Sequence, residues 1–276
     1  LPCGSSIISA NSDMPFSAAA MQDLMPALIL GMARMAAAFT LLPILGNQVL
    51  PGSLRNGVIA SLSLVLLPMH LAALPSPAPG AWELAGLALK EVLIGLVLGY
   101  LTAVFFWALE SAGFFIDNQR GATMASSIDP LTGSQTSPLA ILLIQVLNAV
   151  FFLGGGFLVF IGALYKSYQW WPLFTFFPSL EAAAFGELLM GQVNLLMSMA
   201  VLLAAPLLLP MFLAEFALAL ISRAAPQLSV FFLAMPIKSA LANLLLVLYL
   251  GLLIGYFEER LAEIGAVFME LGRSWR

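Results

Sequence analysis

LLMGQVNLLMSMAVLLAAPLLLPMFLAEFALALI, residues 188–221, carries a single charged side chain, Glu215, in thirty-four positions. A hydrocarbon layer about 30 Å thick is crossed by about 20 apolar residues in helical form. No water is available at that depth for backbone N–H and C=O groups, so such a run spans as a helix, which satisfies them internally. This stretch is longer than one straight crossing needs. Pro206 and Pro210 interrupt it. Each removes a backbone donor and crowds the carbonyl one turn back, which predicts a bend.

Working outward, five further apolar runs are long enough to span: residues 24–45, 56–74, 84–109, 138–164 and 231–256. Turn-rich connectors separate them, among them Pro51-Gly52, the Pro75/Pro77/Pro79-Gly80 run and Ala225-Pro226. No strand-like alternation competes with this pattern. The expected architecture is an all-α polytopic membrane protein of about six long hydrophobic helices, some kinked or paired as hairpins. Residues 258–276 mix Glu258, Glu259, Arg260, Glu263, Glu270, Arg273 and Arg276 with Leu261, Ile264, Val267, Phe268 and Leu271, which predicts an amphipathic C-terminal helix outside the bilayer core. Three segments follow: an extension over 1–23, expected to be poorly ordered, with residues 1–13 before Met14 read as a leader or a misplaced start; one helical membrane domain over 24–257, whose residues 188–257 form a hairpin; and the tail over 258–276.

Composition agrees with the span pattern. The chain is 62% hydrophobic and 9% charged, against about 25% charged in soluble domains. A soluble fold could not cover that apolar surface, so lipid or other membrane subunits must. The net charge of −4 offers no basic patch for phosphates, so nucleic acid is not an expected partner. A lone Cys3 and a lone His70 exclude an internal disulfide and a Cys/His zinc site. Gly186 and Gly191 have the first spacing of a phosphate loop, but Gln192 stands where Lys is required. His70, beside Pro68 at a span end, reads as interfacial. The expectation is a protein without catalysis, cofactor or metal.

Charges inside apolar runs are costly, roughly 2.5–3.5 kcal/mol on insertion scales, and should face protein or water. Arg34, Glu91, Glu110, Glu215 and Lys238 are the candidates for intramembrane pairing. Arg34 fits a buried salt bridge holding subunits together or, alternatively, contact with transported material. Lys90 can snorkel, and Glu91 suits an intersubunit contact. Glu215 lies eleven residues before Pro226 and Lys238 twelve after it. Equal distance from a hairpin turn is equal depth, so the two are expected to pair. Gly95/Gly99 and Gly251/Gly255 are GxxxG pairs, which let helix backbones approach closely. Gly154-Gly155-Gly156 adds a flat, flexible patch to the run over 138–164. Tyr165, Tyr168, Trp170 and Trp171 read as an interfacial aromatic belt. Orientation is not decided: the short connectors, with Arg55 the only cation, favour an outside N-terminus, whereas six crossings and the tail's three arginines favour the opposite.

Residues 111–137 form a long connector rich in Ser, Thr, Gly, Asp and Asn, and connectors of that length are usually functional or disordered. With its approach it reads ESAGFFIDNQRGATMASSIDPLTG over 110–133, followed by YKSYQWWPLFTFFP over 165–178 and SRAAPQLSVFFLAMPIKS over 222–239. These three motifs, in this order, resemble the FliR/SctT family, the T component of flagellar and virulence-type III secretion export apparatus. The YKSYQWWPLFTFFP motif is more similar to the injectisome branch than to the flagellar one. The resemblance covers about residues 26–256. It implies a bacterial inner-membrane subunit that joins R-type and S-type subunits in a closed helical cone, raised toward the periplasm, through which unfolded polypeptides, needle or inner-rod subunits among them, pass. A U-type switch protein would lie near the entrance, and lipid would cover the rest. It also implies that residues 118–137 act as a plug. Asn118, Gln119, Arg120, Gly121, Met124, Ile128, Asp129, Pro130 and Gly133 are then the gate candidates: Asp117, Arg120 and Asp129 could tether a closed form, and Met124 and Ile128 could exclude water from a constriction. The alternatives are a small-molecule secondary transporter, with Arg34 and Glu215 as midplane charges and the prolines as breaks, and a scaffold that only anchors partners.

Overall fold

A computed structural model describes residues 18–45, 51–75, 79–121, 137–176, 182–224 and 230–275. The extension before residue 18 and the turn at Ala225-Pro226 lie outside them. Among the described residues seven α-helices follow in order: α1 Ala18–Leu41, α2 Gly52–Ala72, α3 Ala81–Gln119, α4 Pro138–Leu153, α5 Gly156–Trp170, α6 Ala182–Ala224 and α7 Val230–Ser274, with a short 3₁₀ turn at Pro43–Leu45. No strand occurs among the described residues.

α3 is the axis of the fold. It is apolar on every side, and a helix of that kind belongs in an interior. Leu98, Val104, Phe106, Ala108 and Leu109 are wholly buried, and α1, α4 and α6 all pack against it. Its 39 residues reach about 58 Å at the ordinary helical rise. The expected end of this span near residue 109 is therefore corrected. The polar-looking ESAGFFIDNQ is helical through Gln119 because Ala112, Gly113 and Ile116 face the core. A Cβ on Gly113 would stand 2.5 Å from Cα of Ala140, so this glycine is what lets α4 cross so close.

The expected polytopic helical architecture is present: among the described residues four helices are long and apolar enough to cross a membrane, α2, α3, α6 and α7, and a fifth is counted if α4 and α5 are taken as one broken span. The chain turns by 69° between α4 and α5. Gly154-Gly155-Gly156 is thus a break and not a flat patch on a continuous helix. Gly155 adopts φ +77°, the left-handed region where a side chain is disfavoured. The apolar part of α1, Met25–Leu41, is shorter than a span. α6 continues as one helix through Pro206 and Pro210.

α6 and α7 pack on each other. α7 also runs without interruption into the tail, which is the last part of a 45-residue helix. The tail's apolar face is not free. Leu261, Ile264, Phe268, Leu271 and Trp275 are buried, Trp275 meets Trp171 edge-on at 5.6 Å between ring centroids, and a Cβ on Gly272 would fall within 2.6 Å of the Trp170 ring. Much of the hairpin's outer surface, by contrast, is open and apolar: Leu213 is 64% exposed and Val247 76%. In a chain of this hydropathy that surface requires lipid or other subunits.

Candidate functional site: two polar clusters at opposite ends of α3

Among the described residues the buried charged side chains collect at two places. The first is near the start of α3. Arg34 and Glu91 are both wholly buried. Nε of Arg34 donates to Oε2 of Glu91 at 2.6 Å, and Nη2 donates to Oε1 at 3.0 Å, which is the bidentate fork that guanidinium and carboxylate geometry favours. Nη1 donates to Ser167 Oγ at 2.9 Å and Nη2 to the Trp171 carbonyl at 3.0 Å. The Tyr168 ring lies 4.0 Å beneath the guanidinium. Lys90 Nζ stands 2.8 Å from Glu91 and donates to the carbonyls of Pro172, Leu173 and Thr175.

Three expectations change here. The partners of Arg34 and Glu91 lie within this chain, not across a subunit boundary. Lys90 does not snorkel: it turns inward and donates to three backbone carbonyls of the turn that follows α5, two of which, Pro172 and Thr175, also accept from Thr175 and Trp171. His70 is buried, with its ring 4.9 Å from that of Tyr168. It is held in the gap that Gly31 leaves, since a Cβ there would come within 2.7 Å of the imidazole. The aromatic belt is likewise corrected. Tyr168 is buried and donates to the Gly31 carbonyl at 2.8 Å, Tyr165 donates to Leu62, and Trp170 and Trp171 face the tail. These rings seal α5 to its neighbours.

The second cluster lies 26 residues further along α3, about 39 Å at the helical rise, more than the thickness of a hydrocarbon layer. Asp117, 2% exposed, accepts from Ser137 Oγ and from the Leu139 backbone N–H at 3.1 Å, and pairs with Arg120 Nε at 2.6 Å. The Arg120 contact is an ion pair without hydrogen-bond alignment. Ser137 in turn caps α4 by accepting from Ala140 N–H at 3.2 Å. One carboxylate therefore ties the end of α3 to the start of α4, the two roots of residues 122–136. Met124, Ile128, Asp129, Pro130 and Gly133 fall within that segment and lie outside the described residues.

Beside this clasp, Glu215 Oε2 accepts from Lys238 Nζ at 3.1 Å and from Gln119 Nε2 at 3.2 Å. Gly121, at φ +85°, lies under the Met235 side chain. The structure thus brings Gln119, Arg120, Gly121, Glu215 and Lys238 to one end of the molecule, with Asn118 on the same last turn of α3. Glu110 has no ion-pair partner among the described residues. Gly95 and Gly99 face α1, whereas no atom lies within 4 Å of a Cβ built on Gly251 or Gly255. Sequence reasoning gave no signal for Ser167, Ser137 or the 172–175 carbonyls, because such partners carry no motif. No group of acidic, His or Cys side chains able to hold a metal occurs among the described residues.

Asp117→Ala would leave the Leu139 amide without its acceptor and the Arg120 guanidinium without its counter-charge. The expected cost is about 2–4 kcal/mol, the penalty for buried groups left unsatisfied. Asp117→Asn keeps an acceptor and should cost less. Amide exchange at Leu139 and Ala140 checks this: about tenfold or more acceleration is expected in the Ala variant, a smaller change in the Asn variant, and no difference between them would refute the clasp.

Against known proteins, residues 25–264 match the family described as Bacterial export proteins, family 1. The chain is 50% identical over 217 residues to Yop proteins translocation protein T of Yersinia pestis, covering 78% of this chain and 82% of the relative. It is 38% identical to the surface presentation of antigens protein SpaR of Salmonella typhimurium, over 80% of this chain and 81% of that one. It is 30% identical to the flagellar biosynthetic protein FliR of Bacillus subtilis, over 84% and 88%. These relatives are components of export machinery and not enzymes, and they lend nothing to the small-molecule transporter alternative. The chain is a multi-pass helical membrane protein and belongs to family 1 of the bacterial export proteins.

Proposed function

We propose that this chain is the T-type subunit of a type III secretion export gate of the injectisome kind, seated in the bacterial inner membrane with part of it raised toward the periplasm. It assembles with R-type and S-type subunits around a pore for unfolded polypeptides, needle or inner-rod subunits included, with a U-type switch protein near the entrance. Residues 118–137 act as its plug. The relationship to Yop proteins translocation protein T over most of both chains supports the assignment. The observation that carries the plug is the Asp117 clasp, which holds both roots of residues 122–136 side by side against the α6–α7 hairpin. A segment rooted at two adjacent points can fill or leave an opening without disturbing the helices that carry it.

The test is to replace residues 122–136 by a short Gly/Ser bridge, leaving Asp117 and Ser137 in place. Assembly with co-expressed neighbouring subunits should persist, and the membrane should become permeable to ions. A deletion complex that forms normally and stays ion-tight would sink the plug.

A further inference from the structure

We infer that Glu215 is a positioning residue that fastens the end of α3 to the α6–α7 hairpin, and that this junction is the seam that parts during export. The inference rests on the proposed export reading, and its supports are described residues alone. Two sets of contacts hold the end of α3. The Asp117 clasp is buried, charge-assisted and joined by three partners, Ser137, Leu139 and Arg120. The Glu215 junction is weaker on each count. One hydrogen bond crosses it, from Gln119 to Glu215 at 3.2 Å, and the Glu215 side chain is 50% exposed; the 3.1 Å contact with the buried Lys238 joins α6 to α7 inside the hairpin. A single exposed hydrogen bond adds little, whereas a buried ion pair resists breaking because its members would be stranded. When the helices are pushed apart, the exposed seam yields first, and the end of α3 with the start of α4 leaves the hairpin as one unit. Met235 over Gly121 adds only an apolar contact to the same seam, where the left-handed backbone leaves no side chain to interlock.

Gln119 is the half of the seam that can be altered without stranding Lys238. Gln119→Lys would give Glu215 a second cation and strengthen the junction. Gln119→Glu would set two carboxylates together and weaken it. In cells carrying the whole apparatus, export of a reporter fused to a secretion signal of the same system should fall about fivefold or more with Lys. Resting ion leak should rise about threefold or more with Glu. Changes of less than twofold in both, or in the same sense for both, would overturn the inference. A bridge gives an independent reading. In a Cys3→Ser background, Gln119→Cys with Glu215→Cys is closed by a short bis-methanethiosulfonate reagent. Relative to the same double variant before the reagent, export should drop at least tenfold and return on reduction, and the reagent should leave each single-cysteine control at its own untreated level. Export within twofold of control while most molecules are bridged would also overturn it. The deletion of 122–136 separates the two readings. A tight deletion with a blocking bridge removes the plug and keeps the junction, and a leaky deletion with a harmless bridge does the reverse.

Discussion

Glu91→Gln is expected to destabilise the chain by about 3–5 kcal/mol, more than Arg34→Met at the same cluster, although the two residues form one salt bridge. The reason is the count of charges. Arg34, Lys90 and Glu91 are all buried, and no other ion pair reaches them among the described residues. Two cations share one anion. Removing Arg34 leaves Lys90 and Glu91 2.8 Å apart as a balanced pair, with Lys90 still solvated by three carbonyls. What is lost is a guanidinium with its contacts to Ser167, Trp171 and Tyr168. Removing Glu91's charge leaves two buried cations facing each other with no anion, in a place where Gln keeps one acceptor oxygen and turns an NH2 donor toward the remaining cationic donor. The double variant should cost clearly less than the sum, with a coupling of about 1–3 kcal/mol, because the groups act as one unit. Reversible unfolding of the purified subunit in mixed detergent micelles reads this directly. An Arg34→Met cost equal to or above that of Glu91→Gln would show that packing around the guanidinium, not charge balance, governs the cluster.

This cluster also marks where sequence reading stops. Glu215 and Lys238 stand 3.1 Å apart, and their signal was local: two charges at matching distances from one turn. Arg34 and Glu91 are 57 residues apart, on helices joined through a third. Each could be recognised as a charge that needed a partner, but no spacing rule names the partner. Lys90 was further out of reach, because backbone carbonyls have no sequence signature. His70 was read from its place at a span end, while its burial depends on Gly31 in another helix. The end of α3 was misjudged for a related reason. Polar residues at Glu110, Ser111, Asp117 and Asn118 resemble a connector until Ala112, Gly113 and Ile116 are seen to face α4 and the core. The span pattern was legible because lipid imposes one constraint on every residue in a run. The pairing of runs was not, because it depends on which small residues lie opposite each other.

The two GxxxG pairs put that last point to a test with opposite outcomes. Glu91, Gly95 and Gly99 recur every fourth residue and so form one stripe on α3. The stripe meets α1 backbone to backbone. A Cβ on Gly95 would overlap the Arg34 carbonyl oxygen and stand 2.8 Å from Ala37 Cβ, and one on Gly99 would lie 2.5 Å from the Ala38 carbonyl oxygen. The obstacle in each case is main chain, which cannot swing away as a side-chain end can. α1 would have to withdraw, and with it Arg34 from Glu91. Gly95→Ala is therefore expected to cost about 2–4 kcal/mol, at the upper end of overpacking effects because a buried ion pair is stretched as well. Gly95→Leu should prevent recovery of folded chain. Gly251 and Gly255 have the same motif with nothing within 4 Å. Alanine there meets open space within this chain and improves helix propensity, so Gly251→Ala and Gly255→Ala should be neutral or stabilising by up to about 1 kcal/mol in the isolated subunit. The same unfolding measurement compares the four variants side by side. If Gly95→Ala and Gly251→Ala behaved alike, close contact between α1 and α3 would not be what those glycines provide. If they differ as expected, one sequence motif has two meanings in this chain, decided by whether a backbone or an open face lies across from it.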